Sequence, residues 1–442
     1  FGSSFQLKVA ERASDKPLVR LADSSSPISI PMAGVSCFRV GLGASTFLLL
    51  AVGSQAAVPG ALPADADEAA LIPIVSLLQH GHSPFHLHTK AHDGLAMAQA
   101  GAKRRFEVPK AVINLDLPPE ERWYDFYVSQ REHILGMFAQ LDKIKLPPHP
   151  TEAEMKAFIA NIDLSKDQEI LREHEGIIRA INDTSLVNHT FLMWSELAYE
   201  RGFTMGCSGL LAATPEGHVF HGRNLDLSEG VRVIPNLVDV TFTRGGKPFV
   251  VATGFLGSVG LSTFYKVGAW SFEQNTRSGC ADLEQNVLAA RAGGRPFGFL
   301  ARDVARKIPD FQTAVEVLAS APLMAPMYFT VAGPGAFEGA VITRDRIGSL
   351  PPYGNVVTLS PQMGRWYILQ TNDDIAGLPS DSRRPVALAR LEAMEPKDVN
   401  QESILNLVMT EPLHNDGTVF TWVLDMSTGN RTMFLGNEKL PR

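Results

Sequence analysis

The hydrophobic positions change period near residue 207. Before it, apolar residues recur every three or four positions; after it, short apolar runs come in pairs separated by turn residues. Ile134, Leu135, Phe138 and Leu141, with Met137 and Ile144 alongside, follow helical spacing. Thr151-Glu152-Ala153-Glu154 carries the hydroxyl-to-carboxylate spacing of a capping box and predicts the start of another helix. Residues 166–181 and 186–201 read as two more. Residues 111–206 are therefore expected to be mostly helical. Their apolar faces are read as core, in preference to a surface that touches lipid.

From residue 207 onward the pattern is that of strand pairs. Cys207-Ser208-Gly209-Leu210-Leu211-Ala212-Ala213-Thr214 opens a strand, Pro215-Glu216-Gly217 turns it, and a second strand ends in His221-Gly222-Arg223-Asn224-Leu225-Asp226. Arg244-Gly245-Gly246-Lys247 is a hairpin signal between 237–243 and 248–253. Further pairs are predicted for 327–332 with 339–343, for 355–359 with 365–371, and for 418–426 with 432–435. Helices are predicted at 296–307 and 311–319. Strand pairs with helices grouped between them imply an α+β domain of antiparallel sheets covered by helices.

Composition adds limits. The chain has 442 residues, 45% hydrophobic and 20% charged, ample for a core. A net charge of −7 argues against nucleic acid as a partner. Three cysteines, Cys37, Cys207 and Cys280, are too few for a disulfide scaffold, and Cys207 and Cys280 are expected to be thiols.

Residues 1–57 read as an upstream extension followed by a signal peptide. Met32 begins a basic stretch, 40–52 is an apolar run too short to span a bilayer, and Ser54-Gln55-Ala56-Ala57 supplies small residues for cleavage. Translation is expected to start at Met32. Residues 58–110 read as a leader or linker, and their histidines (His80, His82, His86, His88, His92) as solvated residues rather than a zinc site. No metal or cofactor is expected. Asn182, Asn188 and Asn430 head acceptor tripeptides and are glycosylation candidates, in keeping with a secretory route.

The chemistry centres on Cys207. Arg223 follows it by 16 residues and Asp226 by 19, both returned to it by the hairpin. A cysteine nucleophile needs a base or a positive field to become a thiolate. His218 and His221 are near in sequence but match neither the papain nor the caspase signature. The other base is the α-amine of Cys207 itself, freed by breaking the bond to Gly206. Its reference pKa of about 7.7–8.0 suits a general base. Arg223 would favour the thiolate, and Asp226 would orient the amine.

The chain resembles the family of acid ceramidase and N-acylethanolamine acid amidase, which are N-terminal-nucleophile hydrolases. The matches run in order. They are Ile113-Asn114-Leu115-Asp116-Leu117-Pro118-Pro119 with Arg122-Trp123; Glu196-Leu197-Ala198-Tyr199-Glu200; the Cys207 and His221–Asp226 segments; Ala325-Pro326-Met327-Tyr328-Phe329; Val341-Ile342-Thr343-Arg344-Asp345-Arg346; Gly364-Arg365-Trp366-Tyr367 with Gln370-Thr371-Asn372; and Asp381-Ser382-Arg383-Arg384.

The resemblance implies an αββα sandwich at 207–442, preceded by a helical α-subunit at 111–206. It also implies self-cleavage between Gly206 and Cys207 into subunits that stay together. The implied activity is hydrolysis of N-acylethanolamines or ceramide to a fatty acid and an amine through a Cys207 thioester. It would take place in a lysosome-like compartment or after secretion, with transient contact to a membrane surface or micelle.

Carried over by motif, Arg223 and Asp226 tune Cys207, Asn372 donates to the oxyanion, and Arg383 orders the site. Thr276 supplies a backbone N–H, standing where the family has Glu. The loop from Asn372 to Arg383 is shorter than in the family, and the cysteines of the acid ceramidase disulfides are absent. A related acylase acting on a polar amide of the bile-salt or penicillin type is the alternative, with the Arg365-Trp366-Tyr367 region read against it. An inactive lipid-binding homologue is the third reading.

Overall fold

The computed structural model describes residues 107–141, 151–202, 206–227, 236–277, 281–349, 355–436 and 438. The signal-peptide, linker and histidine readings, and Cys280, lie outside these residues.

An eight-stranded sheet has the order β1-β4-β5-β6-β7-β8-β9-β10, and a five-stranded sheet the order β11-β2-β3-β12-β13. In the first sheet β1 is Lys110–Asn114, β4 Leu237–Arg244, β5 Lys247–Phe255, β6 Thr263–Lys266, β7 Trp270–Thr276, β8 Met327–Ala332, β9 Gly339–Arg344 and β10 Asn355–Thr358. In the second, β2 is Gly206–Ala213, β3 Val219–Asp226, β11 Tyr367–Gln370, β12 Thr418–Asp425 and β13 Arg431–Leu435. All pairs are antiparallel except β1 with β4.

Three apolar layers hold this together. The outer face of the large sheet packs against helices, with Phe264, Phe272 and Phe329 meeting Ile177, Leu300 and Leu318. The layer between the sheets holds Leu211, Ala213, Leu225, Ala332, Val341 and Trp422. The outer face of the small sheet packs Leu210, Ala212 and Val423 against Ala387, Leu391, Ile404 and Leu407. The layers run helix, sheet, sheet, helix: the expected αββα sandwich. Strand β2 alternates between the two apolar layers, which is why its sequence reads as an unbroken small-apolar run.

Ahead of residue 206 the helices are α1 Pro119–Arg122, α2 Tyr124–Leu141, α3 Glu152–Ile159, α4 Gln168–Ile181 and α5 His189–Glu196. The predicted capping box is present: Glu154 N–H donates to Thr151 Oγ1 at 3.3 Å, and Thr151 N–H to Glu154 Oε2 at 2.6 Å. The helix expected over 186–201 spans His189–Glu196 and ends at the cap Leu197. After Asp226 come α6 Leu283–Arg291, α7 Phe297–Lys307, α8 Phe311–Ser320, α9 Arg383–Glu392 and α10 Gln401–Val408. Gly245 and Gly246 adopt φ of 55° and 71°, the left-handed pair a two-residue hairpin needs.

Two expectations are corrected. The segment read as linker passing into helix contains a strand, β1, which adds to the large sheet beside β4. The predicted pairing of 355–359 with 365–371 is not made. Strand β10 pairs with β9 and β11 with β2, in different sheets, and a lone bridge between Ser360 and Arg365 joins the two runs. The local apolar pattern marked both strands but carried no information on which sheet takes each.

Candidate active site

Cys207 is the second residue of β2, fully buried, and faces the layer between the sheets. Register sets its neighbours: Gly206 lies opposite Asp226, Cys207 opposite Leu225, and Gly209 opposite Arg223. Cross-strand partners share a face, so Arg223 is a diagonal neighbour of Cys207 on the inter-sheet side. Asp226 and Gly206 lie on the other face, toward α9.

Three side chains converge on Gly206 and Cys207. Cys207 N–H donates to Asn372 Oδ1 at 2.9 Å. Arg383 Nη1 donates to the Cys207 carbonyl at 2.9 Å and to Asp226 Oδ2 at 3.3 Å. Arg383 Nη2 donates to Asn372 Oδ1 at 2.7 Å. Asp226 stands so close to Gly206 that a Cβ there would lie 3.1 Å from the aspartate Cβ. The arginine is itself gripped by Asp381, which accepts from its Nε at 3.0 Å and its Nη2 at 2.7 Å. The structure thus brings together Gly206, Cys207, Asp226, Asn372 and Arg383, with Arg223 one step along β3.

The electrostatics are those of a guarded thiol. Burial pushes Cys207 up to about 11; the charge of Arg223 pulls it down, Asp226 and Glu273 push it up, and Arg383 pulls it down again. Burial also raises Asp226 to about 6, against its hydrogen bond from Thr418 Oγ1 at 2.8 Å and the charge of Arg383.

The predicted side-chain oxyanion donor, the Asn372 amide, has an acceptor already. Asn372 Nδ2 donates to the Thr276 carbonyl at 3.0 Å, so that amide is turned toward β7. The Arg365-Trp366-Tyr367 region lies away from the thiol. Tyr367 pairs with Ala212, and Trp366 lines a groove with Thr214 and Pro215, at the far end of β2 from Cys207. His218 is exposed at that same end, and His221 engages Ser271 Oγ at 2.8 Å. Of the glycosylation candidates, Asn182 and Asn430 are exposed, whereas Asn188 caps α5 by accepting from Phe191 N–H at 2.9 Å.

The sequence reading missed the partners of Arg223. Its Nη1 donates to Glu273 Oε2 at 3.1 Å, the Gln274 carbonyl at 2.9 Å and Asn275 Oδ1 at 3.1 Å, all from β7 in the opposite sheet. The available signal was the alternation Ser271, Glu273, Asn275 against Trp270 and Phe272, which reads as a solvent face and is instead a buried polar one.

Among the described residues no cluster of His, Cys, Asp or Glu could hold a metal ion.

No protein-family model matches the chain. Acid ceramidase from Pan troglodytes is 30% identical over 376 residues, covering 76% of this chain and 88% of the relative. Acid ceramidase from Homo sapiens gives the same identity and coverage. Among solved structures, a Caenorhabditis elegans N-acylethanolamine-hydrolyzing acid amidase ortholog matches with a TM-score of 0.48 and 25% identity, covering 53% of this chain and 100% of that one. On the strength of the likeness to the ceramidases, which runs through nearly their whole length, the chain belongs to the acid ceramidase family.

Proposed function

We propose that the protein is a self-cleaving cysteine amidase that hydrolyses N-acyl lipids to a free fatty acid and an amine. The family places it among hydrolases of carbon–nitrogen amide bonds. The observation that supports the mechanism is the convergence on the two residues that flank the scissile bond: Asn372 on the Cys207 N–H, Arg383 on the Cys207 carbonyl, and Asp226 against Gly206.

That geometry supports self-cleavage. Cys207 Sγ attacks the Gly206 carbonyl carbon, the C–N bond breaks, and the departing nitrogen takes up a proton. A protonated Asp226, raised to about 6, is placed to assist that transfer under acidic conditions. Water then hydrolyses the thioester. Cys207 becomes an N-terminus whose amine accepts the thiol proton, which a thiol held near 11 in the uncut chain otherwise keeps. In turnover the thiolate attacks the lipid amide carbonyl, the amine leaves with the proton, and water releases the fatty acid. Once the Gly206 link is cut, the Asn372 amide is free to turn from Thr276 to the oxyanion, where one such donor contributes about 3–4 kcal/mol.

N-acylethanolamines and ceramide are the substrate candidates, met at a lipid surface in an acidic lumen of the secretory route. No described helix is long and apolar enough to cross a membrane. Protein held at acidic pH should split to yield a fragment beginning at Cys207. Cys207→Ala should abolish both the split and the release of fatty acid from palmitoylethanolamide or a ceramide. Wild-type protein that stays whole yet hydrolyses either lipid would sink the mechanism.

A further inference from the structure

Beside Cys207 the layer between the sheets carries charge, where β3 and β7 face each other. Glu273 is the centre of this patch and is fully buried. One carboxylate oxygen accepts from Arg223 at 3.1 Å. The other has no hydrogen-bond partner among the described residues and lies 3.9 Å from His221 Nε2, which is equally unpartnered. Arg223 keeps Nε and Nη2 unpartnered as well, aimed into the same layer.

The carboxylate occupies the space a side chain at position 209 would need. A Cβ on Gly209 would fall 1.6 Å from Glu273 Oε1 and 3.0 Å from Thr330 Oγ1. Gly209 lies two residues beyond Cys207 on the same face of β2 and directly opposite Arg223. The bare glycine thus lets a carboxylate from the opposite sheet settle onto the nucleophile strand.

We infer that Glu273 is a positioning residue for Cys207: seated on Gly209, it fixes the Arg223 guanidinium beside the thiol and sets the pH at which the thiol ionises. This rests on Cys207 being the nucleophile. The ion pair has two opposed consequences. It locks the arginine in one place, and it cancels part of the field that the arginine presents to sulfur. The charged groups around Cys207 are Arg223 and Asp226 from its own sheet, Glu273 from the facing sheet, and Arg383 from α9, with His221 facing Glu273. Of these, Glu273 alone is a carboxylate on the thiol's own side of the strand. Removing its charge without its shape leaves Arg223 uncompensated and favours the thiolate.

The test is the pH dependence of Cys207 alkylation by iodoacetamide in self-cleaved protein, with the modified residue read by mass spectrometry of the peptide that begins at Cys207. Glu273→Gln should move the midpoint acid-ward by about one unit, seen as roughly tenfold faster labelling at a fixed pH on the rising limb. The kcat/KM profile should move the same way. Glu273→Asp, which keeps the charge, should restore the wild-type midpoint. A structural role alone would change the melting temperature and leave the midpoint in place.

Gly209→Ala supplies a second perturbation should Glu273→Gln not fold. Its methyl displaces the carboxylate, and the midpoint should again move acid-ward. An unshifted midpoint in a folded variant of either kind overturns the inference. Amidase activity that survives in Cys207→Ala overturns the nucleophile assignment instead, so the two failures are told apart.

Discussion

Asn372 accepts the backbone N–H of Cys207 at 2.9 Å while its own amide nitrogen donates to Thr276, so one side chain ties the head of β2 to the end of β7. Asn372→Ala should therefore damage two events: self-cleavage, where the side chain holds the linkage, and turnover, where it serves the oxyanion. A loss of about a hundredfold or more in kcat is expected for a pre-cut sample, with a smaller change in KM. Equal losses in uncut and cut protein, or a change confined to KM, would contradict this double role.

Arg383 reaches four partners with three nitrogens: the Cys207 carbonyl, Asp226, Asn372 and Asp381. A lysine keeps the charge and loses the planar fork. Arg383→Lys should slow self-cleavage nearly as much as Arg383→Ala, measured by the rate at which the fragment beginning at Cys207 appears. A lysine variant that cleaves at the wild-type rate would show that charge alone suffices.

Two buried carboxyls give the fold a preference for acid. Burial raises Asp226 to about 6 and Glu200 to about 7, the latter against a hydrogen bond from Phe297 N–H. Between its unfolded value and its folded one, each group holds a proton in the native chain that the unfolded chain has released. Stability therefore falls as pH rises from about 4 through 7, by on the order of 3 kcal/mol per group. Melting at pH 4.5 and 7.5 should show the wild type losing stability on neutralisation, and Glu200→Gln narrowing the gap. An unchanged gap would mean that Glu200 does not contribute.

The segments on either side of residue 206 are joined by buried charge as well as by packing. Glu173 of α4 accepts from Trp123 Nε1 at 2.6 Å, from Arg122 Nη1 at 2.9 Å and from Arg302 of α7. Glu173→Ala leaves Arg302 with its Val259 carbonyl contact and no counter-charge, a loss of about 3–5 kcal/mol. After cleavage the two pieces should co-elute in the wild type and separate, or aggregate, in this variant. Gly176, on the same helix, packs against the Glu120 carbonyl so closely that a Cβ would lie 2.2 Å from it. Gly176→Ala should lower the melting temperature without moving the pH profile.

How far the sequence reached depended on whether the information was local. The capping box at Thr151, the Gly245-Gly246 hairpin and the β2–β3 turn are local, and each stands as predicted. Strands β10 and β11 were visible as apolar runs, yet their sheet assignment depends on partners more than a hundred residues away for β11. Asn372 and Arg383 could be named only through the family motif, because nothing in their spacing from Cys207 implies contact. Glu273 was invisible because a polar face buried between two sheets has the same period as one facing water.

The strand Lys110–Asn114 gives the proposed cut a direction in time. It covers the edge of β4, in a register that sets Ile113 opposite Phe242. A chain begun at Cys207 would present that edge bare, an open template for pairing with other copies. The piece ahead of the scissile bond thus acts as a built-in edge guard that must be in place before the bond breaks. Residues 207–442 produced alone should precipitate, while the same residues released by cutting the folded precursor should not.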